Sequence, residues 1–461
     1  MIDILWPEIT IAEKVLRDAI VRPRARMTAA MKAMVARAWG EPSSLVYADV
    51  TEPTPGPGEV LIDVRAVGCN FPDILIVQGK YQTKPPLPFS PGHEVAGVVR
   101  AVGPGVSELA VGQRVFALLK WGGYAERAVA PVARTHALPD GMTFEEGAAF
   151  GLVYQTSWCA LTHRTRVRRG ETLLVHGAAG GVGLSAVQIG KVLGARVLAT
   201  AGSTEKLEVA RAAGADALIN YRTEDWVEIV KKETGGRGAD VIYDPVGGDV
   251  FDGSTRCIAF EGRLLIIGFA GGRIADVATN RVLLKNIDVI GVHWGMYNER
   301  DPGTVKRWMG ELLALVAGGR LRPVIFKSYP LRDAAQALAA IASRESYGKV
   351  VLTVCHRPRV RPPARRHRAA PGLRPRRRRR PRPLHRRGRD AGSRRPGAGA
   401  DWRGRRDPVR LRGTGPAPVG SGPPPRGDGP QRPRPHRRGV SRRGESAAGQ
   451  SRPRARELRA G

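Results

Sequence analysis

The stretch VHGAAGGVGLSAVQIGK, residues 175–191, decides the fold. The apolar run TLLV leads into it and the helix-forming segment GLSAVQIGKVLG leaves it, so a glycine-rich turn joins a buried strand to a helix. Ala178 stands where the usual G-x-G-x-x-G fingerprint opens, and Gly180 and Gly183 fill its other two glycine positions. Glycine there lets backbone approach a pyrophosphate, whose charge is favoured by the free N–H groups and positive dipole end of the following helix. A glycine turn alone is a weak signal. Set between a strand and a helix, it marks Ala179, Gly180, Gly181, Val182 and Gly183 as a candidate dinucleotide site.

Working outward, RVLATA, ADALIN, ADVIYDPV and GRLLIIGFA read as further buried strands, separated by helical segments such as TEKLEVARAAG. Strands alternating with helices predict an α/β, doubly wound parallel sheet over residues 151–322. Upstream the rhythm differs. EVLIDVRAVG, EVAGVVRAVG and QRVFALL are short apolar runs between Pro/Gly turns such as EPTPGPGE, which predicts a small β-barrel over 34–150. No run of 18 apolar residues suggests a membrane span. Cys69, Cys159, Cys257 and Cys355 form no C-x-x-C pair, which suits a reducing cytoplasm.

The two ends read differently from the middle. Residues 355–461 hold 34 arginines, no lysine and six acids, so 28 of the formal +33 charges lie there. Such a segment buries too little apolar surface to fold by itself. It also lacks Ile, Met, Asn, Lys, Phe and Tyr, whose codons are rich in A and T, which favours an out-of-frame translation of G/C-rich DNA. An Arg-rich arm binding nucleic acid is the rival reading. Residues 1–33 contain a short amphipathic helix pattern, ITIAEKVLRDAI, and three methionines, Met27, Met31 and, just beyond, Met34, that offer alternative starts. The stretch is read as an extension outside the folded unit.

PGHEVAGVVRAVG, AAGGVG, EVARAAGADALIN and GKVVLTV together resemble the medium-chain dehydrogenase/reductase superfamily, most closely its zinc-free quinone oxidoreductase branch. The resemblance spans about 34–354. It implies a GroES-like β-barrel catalytic domain, a Rossmann domain, and a last segment, 323–354, that returns to the first domain. It also implies a homodimer formed through the Rossmann domain.

Zinc-dependent relatives carry a cysteine where register places Asn70, with Cys69 displaced by one; the second metal position, His93, is kept, and Leu152 or a neighbour falls at the third. One imidazole with an amide and an aliphatic side chain makes a poor tetrahedral site, so no metal is expected. His93 is then a turn histidine lining the cleft. By the same resemblance Asn70 and Thr156 lie near the nicotinamide, and Tyr81 occupies a substrate-site position, while a second family tyrosine aligns with Leu75. IIGFAGG places Gly268, Phe269 and Ala270 at the carboxyl end of a strand, and VIGVHWGMY does the same for His293 and Trp294, with His293 a candidate acid.

Without a metal, hydride chemistry comes from the cofactor, which suits an acceptor activated by conjugation: a quinone, or alternatively an enone or enoyl thioester. The cofactor expected is NADPH. Ala201, Gly202 and Ser203 stand where NAD-specific folds place an acid, and Lys206 follows one helical turn on. Tyr221 and Arg344 match phosphate- or adenine-side positions in relatives.

Overall fold

The computed structural model describes residues 30–355; the readings made for 1–29 and for 356–461 lie outside the described residues. Six strands form a parallel sheet: β8 (Thr172–Val175), β9 (Arg196–Ala201), β10 (Ala217–Asn220), β11 (Ala239–Asp244), β12 (Ile258–Ile266) and β13 (Asp288–Gly291). Their order, β10-β9-β8-β11-β12-β13, reverses direction between β8 and β11. Ligands bind at such a switch point, outside the carboxyl ends of the strands. β8 is buried at all four positions, as a central parallel strand covered on both faces should be.

The second sheet is mostly antiparallel and seven-stranded: β14-β15-β3-β4-β5-β7, with β6 also pairing β3. Its members are β3 (Glu59–Cys69), β4 (Glu94–Val102), β5 (Arg114–Leu118), β6 (Arg127–Pro131), β7 (Thr135–Ala137), β14 (Ile325–Pro330) and β15 (Lys349–Thr353). The α/β class with a GroES-like sheet and a Rossmann sheet is therefore as the sequence predicted. Two registers position the site. β15 pairs β3 with Val350 opposite Cys69, and β3 pairs β4 with Gly68 opposite Glu94. Gly68 has to be glycine, because a Cβ there would lie 2.0 Å from the Ala148 carbonyl oxygen.

One boundary differs from the sequence reading. β1 begins at Ala30, not 34, and pairs antiparallel with β2 (Val46–Thr51) from Ala30↔Thr51 to Val35↔Val46. The alternation in AMKAMV buries Met31 and Ala33 beside Ala125, so these residues belong to the folded unit. One apolar core then runs from Phe116 and Phe150 through the helix Gly151–Trp158 to Leu173, Val175 and Tyr243, tying the two sheets together. Among the described residues no helix is long and apolar enough to cross a membrane.

Candidate functional site

The glycine turn follows β8, and the helix Gly181–Leu193 opens directly after it with Gly180 as its N-cap. The tight turn that the missing first glycine would supply is made one residue earlier, by Gly177 at φ 55°. Gly183 is a packing glycine, since a Cβ there would meet the Gly177 carbonyl oxygen at 2.2 Å. Gly180 is different: a Cβ would find only the Gly177 oxygen, at 3.3 Å. That leaves backbone accessible at the helix N-terminus, the space a pyrophosphate needs. Gly181 is covered by the stem of Lys349, and Val182 faces inward, its carbonyl accepting from Ser157 and Ser185. His176, just before the turn, is a packing residue; burial pushes its imidazole down to about 3, and it bonds Thr200 and Ser254.

At the end of β9 no carboxylate waits. Ser203 caps the helix Thr204–Ala212, its Oγ accepting from Lys206 N. Lys206 Nζ donates to the Arg344 carbonyl, and Arg344 Nη2 donates to the Ala270 carbonyl at 2.9 Å. Burial first, then repulsion from Arg222, holds the Lys206 ammonium below its ordinary value, with Glu205 pulling the other way and Arg344 and Glu345 adding smaller effects of opposite sign. Tyr221 and Arg222 fold over Gly202, where a Cβ would fall 2.7 Å from the tyrosine hydroxyl and 3.0 Å from Arg222 Nε. Sequence reasoning named Lys206, Tyr221 and Arg344 but missed Arg222, the basic residue just past β10. Gly268, Phe269 and Ala270 lie at the carboxyl end of β12, with Phe269 and Ala270 exposed.

The turn connects to the barrel through one short segment. Gly348 N donates to the Ala179 carbonyl at 2.7 Å, and the next residue, Lys349, begins β15. Because Val350 lies opposite Cys69, Lys349 reaches the end of β3. Its buried Nζ donates to Asn70 Oδ1 (2.6 Å), Glu94 Oε1 (2.7 Å) and the Cys69 carbonyl (2.9 Å), which uses all three ammonium hydrogens. Asn70 Nδ2 donates in turn to Glu94 Oε1 (2.9 Å) and the Gly68 carbonyl (3.2 Å), and Glu94 Oε2 accepts from Leu152 N (3.0 Å). Asn70, expected near the nicotinamide, is turned inward with both amide hydrogens spent. Thr156, also expected near the nicotinamide, is buried on its helix with its hydroxyl donating to the Leu152 carbonyl.

A second set of partners branches from Asn70. Its backbone N–H donates to Asp73 Oδ2 at 2.8 Å, Tyr124 OH donates to the same oxygen at 3.1 Å, and His93 Nδ1 lies 2.6 Å from Asp73 Oδ1. Tyr81 stands edge-on to His93 with ring centroids 6.2 Å apart. Burial, then the Asp73 charge, raises the Tyr81 phenol above its ordinary value, so it stays protonated. His293 is not part of this group. It lies exposed in a separate cavity of about 340 Å³, lined with Arg164, Met296, Tyr297 and Arg300 among others. Trp294 is half-buried against the main core. Glu94, Lys349, Asp73 and Arg222 are the residues that sequence reasoning passed over, although PGHE and GKVV both lay within quoted motifs.

The fold defines an oxidoreductase built on two sheets, with this cluster tied to the glycine turn through Gly348. Residues 56–140 match the family model of the alcohol dehydrogenase GroES-like domain, and 181–311 match that of zinc-binding dehydrogenase. The chain is 39% identical over 300 residues to quinone oxidoreductase-like protein 2 of Rattus norvegicus, covering 65% of this chain and 86% of the relative. It is 35% identical over 325 residues to the quinone oxidoreductase of Homo sapiens, covering 70% and 97%. Among solved structures, Escherichia coli quinone oxidoreductase complexed with NADPH superposes with a TM-score of 0.66 at 32% identity, covering 70% of this chain and 99% of that one. A mycobacterial protein complexed with NADPH gives 0.66 at 34%, covering 70% and 100%. The chain belongs to the medium-chain dehydrogenase/reductase superfamily, in its quinone oxidoreductase-like branch.

The zinc implied by one of those family names does not fit the residues present. Asn70 is held by Lys349 and Glu94, Leu152 offers an aliphatic side chain, and burial pushes the neighbouring Cys69 thiol up to about 12. Among the described residues, no group of three or more His, Cys, Asp or Glu side chains could hold a metal ion.

Proposed function

We propose that this chain is an NADPH-dependent, zinc-independent reductase whose acceptor is a quinone. The observation that supports the cofactor choice is the end of β9, where Lys206, Arg222 and Arg344 gather and Ala201 and Gly202 stand where an NAD-specific fold places its acid. A carboxylate there would repel a 2′-phosphate, whereas three cations attract it. The acceptor class is supported by the relatives' names and by a cleft without a fitting metal site, which suits a substrate already activated by conjugation.

When bound, a reduced nicotinamide supplies the hydride. The chain supplies the rest. Ala179–Gly183 present backbone N–H groups to the pyrophosphate, and Ser203, Lys206, Tyr221, Arg222 and Arg344 surround the adenosine end. Gly268–Ala270 line the carboxyl end of the sheet. Lys349, Glu94 and Asn70 fix the end of β3 against that turn, and Tyr81 borders the acceptor. Reduction of enones or enoyl thioesters is the nearest other reading of the same cleft.

A homodimer is part of this proposal. Edge strand β13 is unpaired on one side, and nearby Leu283 and Leu284 are 74% and 77% exposed. Three buried free thiols suit a reducing, cytoplasmic compartment. Following absorbance loss of NADPH and of NADH with 1,4-benzoquinone and 2-cyclohexenone tests the proposal. Faster, saturable turnover of the quinone with NADPH supports it, and turnover of neither acceptor overturns it.

A further inference from the structure

We propose that His93 is the catalytic acid of this enzyme, protonating the oxygen of the conjugated acceptor while Asp73 holds its ring. The assignment rests on the reductase reading above and adds to it the source of the proton.

The geometry points to His93 by what its neighbours can and cannot do. Asn70 has both amide hydrogens committed to Glu94 and Gly68, so it has no hydrogen left to donate. Lys349 has all three of its hydrogens committed and is buried. His293 lies in another cavity. His93 is partly exposed, with 12% of its side chain open, while Asp73 behind it is fully buried. Asp73 Oδ2 is filled by Asn70 N–H and Tyr124 OH, which leaves Oδ1 to accept from His93 Nδ1–H at 2.6 Å. A carboxylate on Nδ1 fixes the tautomer and ring orientation and leaves Nε2 as the ring nitrogen turned away from Asp73.

His93 also stands between the two domains. Its carbonyl accepts from Leu119 N at 2.6 Å, and the next residue, Lys120, pairs at 3.2 Å with Glu299 on the helix Tyr297–Arg300 that follows β13. On the other side, Asp73 joins through Asn70 and Lys349 to Gly348 and the Ala179 turn. His93 is thus tied on one side to the Rossmann half through Leu119, Lys120 and Glu299, and on the other to the glycine turn through Asp73, Asn70 and Lys349.

The step balances. For an enone, a hydride leaves the dihydronicotinamide and forms a C–H bond at the β-carbon, so the nicotinamide is oxidised by two electrons and the acceptor reduced by two. The carbon–carbon π pair shifts toward the carbonyl, whose oxygen takes the proton as the His93 Nε2–H bond breaks. Neutral His93 then regains a proton from solvent. For a quinone, the hydride becomes the hydrogen of one O–H bond and leaves the hydroquinone monoanion, whose other oxygen takes the proton as the His93 Nε2–H bond breaks.

The test compares full-length wild type, His93→Ala and His93→Gln, the last keeping a hydrogen-bonding side chain beside Asp73. NADPH binding is read by nucleotide fluorescence, and kcat, KM and the solvent deuterium isotope effect are measured with 2-cyclohexenone and 1,4-benzoquinone. The expected result is NADPH affinity within about twofold of wild type. The kcat for the enone should fall about 100-fold or more, within the range general acids supply, with KM little changed and a larger solvent isotope effect. Should His93→Ala fail to bind NADPH, His93→Gln decides. A binding-competent variant with kcat within threefold of wild type, or one whose loss leaves the isotope effect unchanged, overturns the assignment while the reductase reading stands. Absence of turnover by the wild type overturns both.

Discussion

Replacing Lys349 with methionine tests the joint between the two domains. The ammonium is 4% exposed and its partner Glu94 2%, and its three hydrogen bonds are 2.6, 2.7 and 2.9 Å long. Methionine fills similar volume but strands Glu94 as a buried carboxylate with only Asn70 Nδ2 and Leu152 N as donors. Breaking a buried pair by removing one partner costs about 3–5 kcal/mol. With an unfolding entropy of about 2.1 cal/mol/K per residue over roughly 330 residues, 4 kcal/mol lowers the melting temperature by about 6 °C. Calorimetry of wild type, Lys349→Met, Glu94→Gln and the double variant measures it. In the double variant the stranded charge is gone, so most of the loss should return, leaving a coupling energy of the order expected for residues in one network. A Lys349→Met midpoint within 1 °C of wild type, or a double variant no better than the single one, refutes the reasoning.

Lys206→Ala and Arg222→Ala should each raise the NADPH Michaelis constant about tenfold and leave that for NADH nearly unchanged, since a charged hydrogen bond is worth about 1.5–3 kcal/mol; equal effects on both cofactors count against the phosphate assignment. Gly180→Ala should fold with little loss of stability but weaken dinucleotide binding, because its φ of −74° suits any residue and its Cβ meets only the Gly177 oxygen, at 3.3 Å, before entering the cofactor's space. Gly183→Ala should lose stability as well, its Cβ meeting backbone at 2.2 Å; thermal melts and NADPH titrations of the pair separate the two. A chain starting at residue 34 should melt well below one starting at 27, because it lacks the β1 positions that pair with Ala48–Thr51. Removing 356–461 should leave turnover intact, since β15 already closes the barrel against β3.

The Rossmann half was legible because its signals are local. Buried strands, helices and a glycine turn each announce themselves within about 15 residues, and the Ser203 cap lies next to the helix it caps. The cluster at the end of β3 was only half legible. Asn70, Tyr81 and His93 stood in recognisable motifs, but Lys349 is 279 residues from Asn70 and 255 from Glu94, and only the β15–β3 register brings them together. That register is also why the inward bonds of Asn70 were not legible: nothing near it in sequence hints that an ammonium will claim its oxygen. The Asp73–His93 pair hides the same way, spanning 20 residues across a loop. β1 was missed for a different reason, since its alternating AMKAMV carries methionines that read equally as start positions.

The most direct test of the account is turnover by metal-free protein. Full-length chain is dialysed against a chelator, its zinc content measured by elemental analysis, and NADPH oxidation followed with 1,4-benzoquinone before and after zinc is restored. The account predicts less than about 0.1 zinc per chain, undiminished quinone-dependent oxidation of NADPH, and no gain on adding zinc. About one zinc per chain, lost together with activity and recovered with it, contradicts the account.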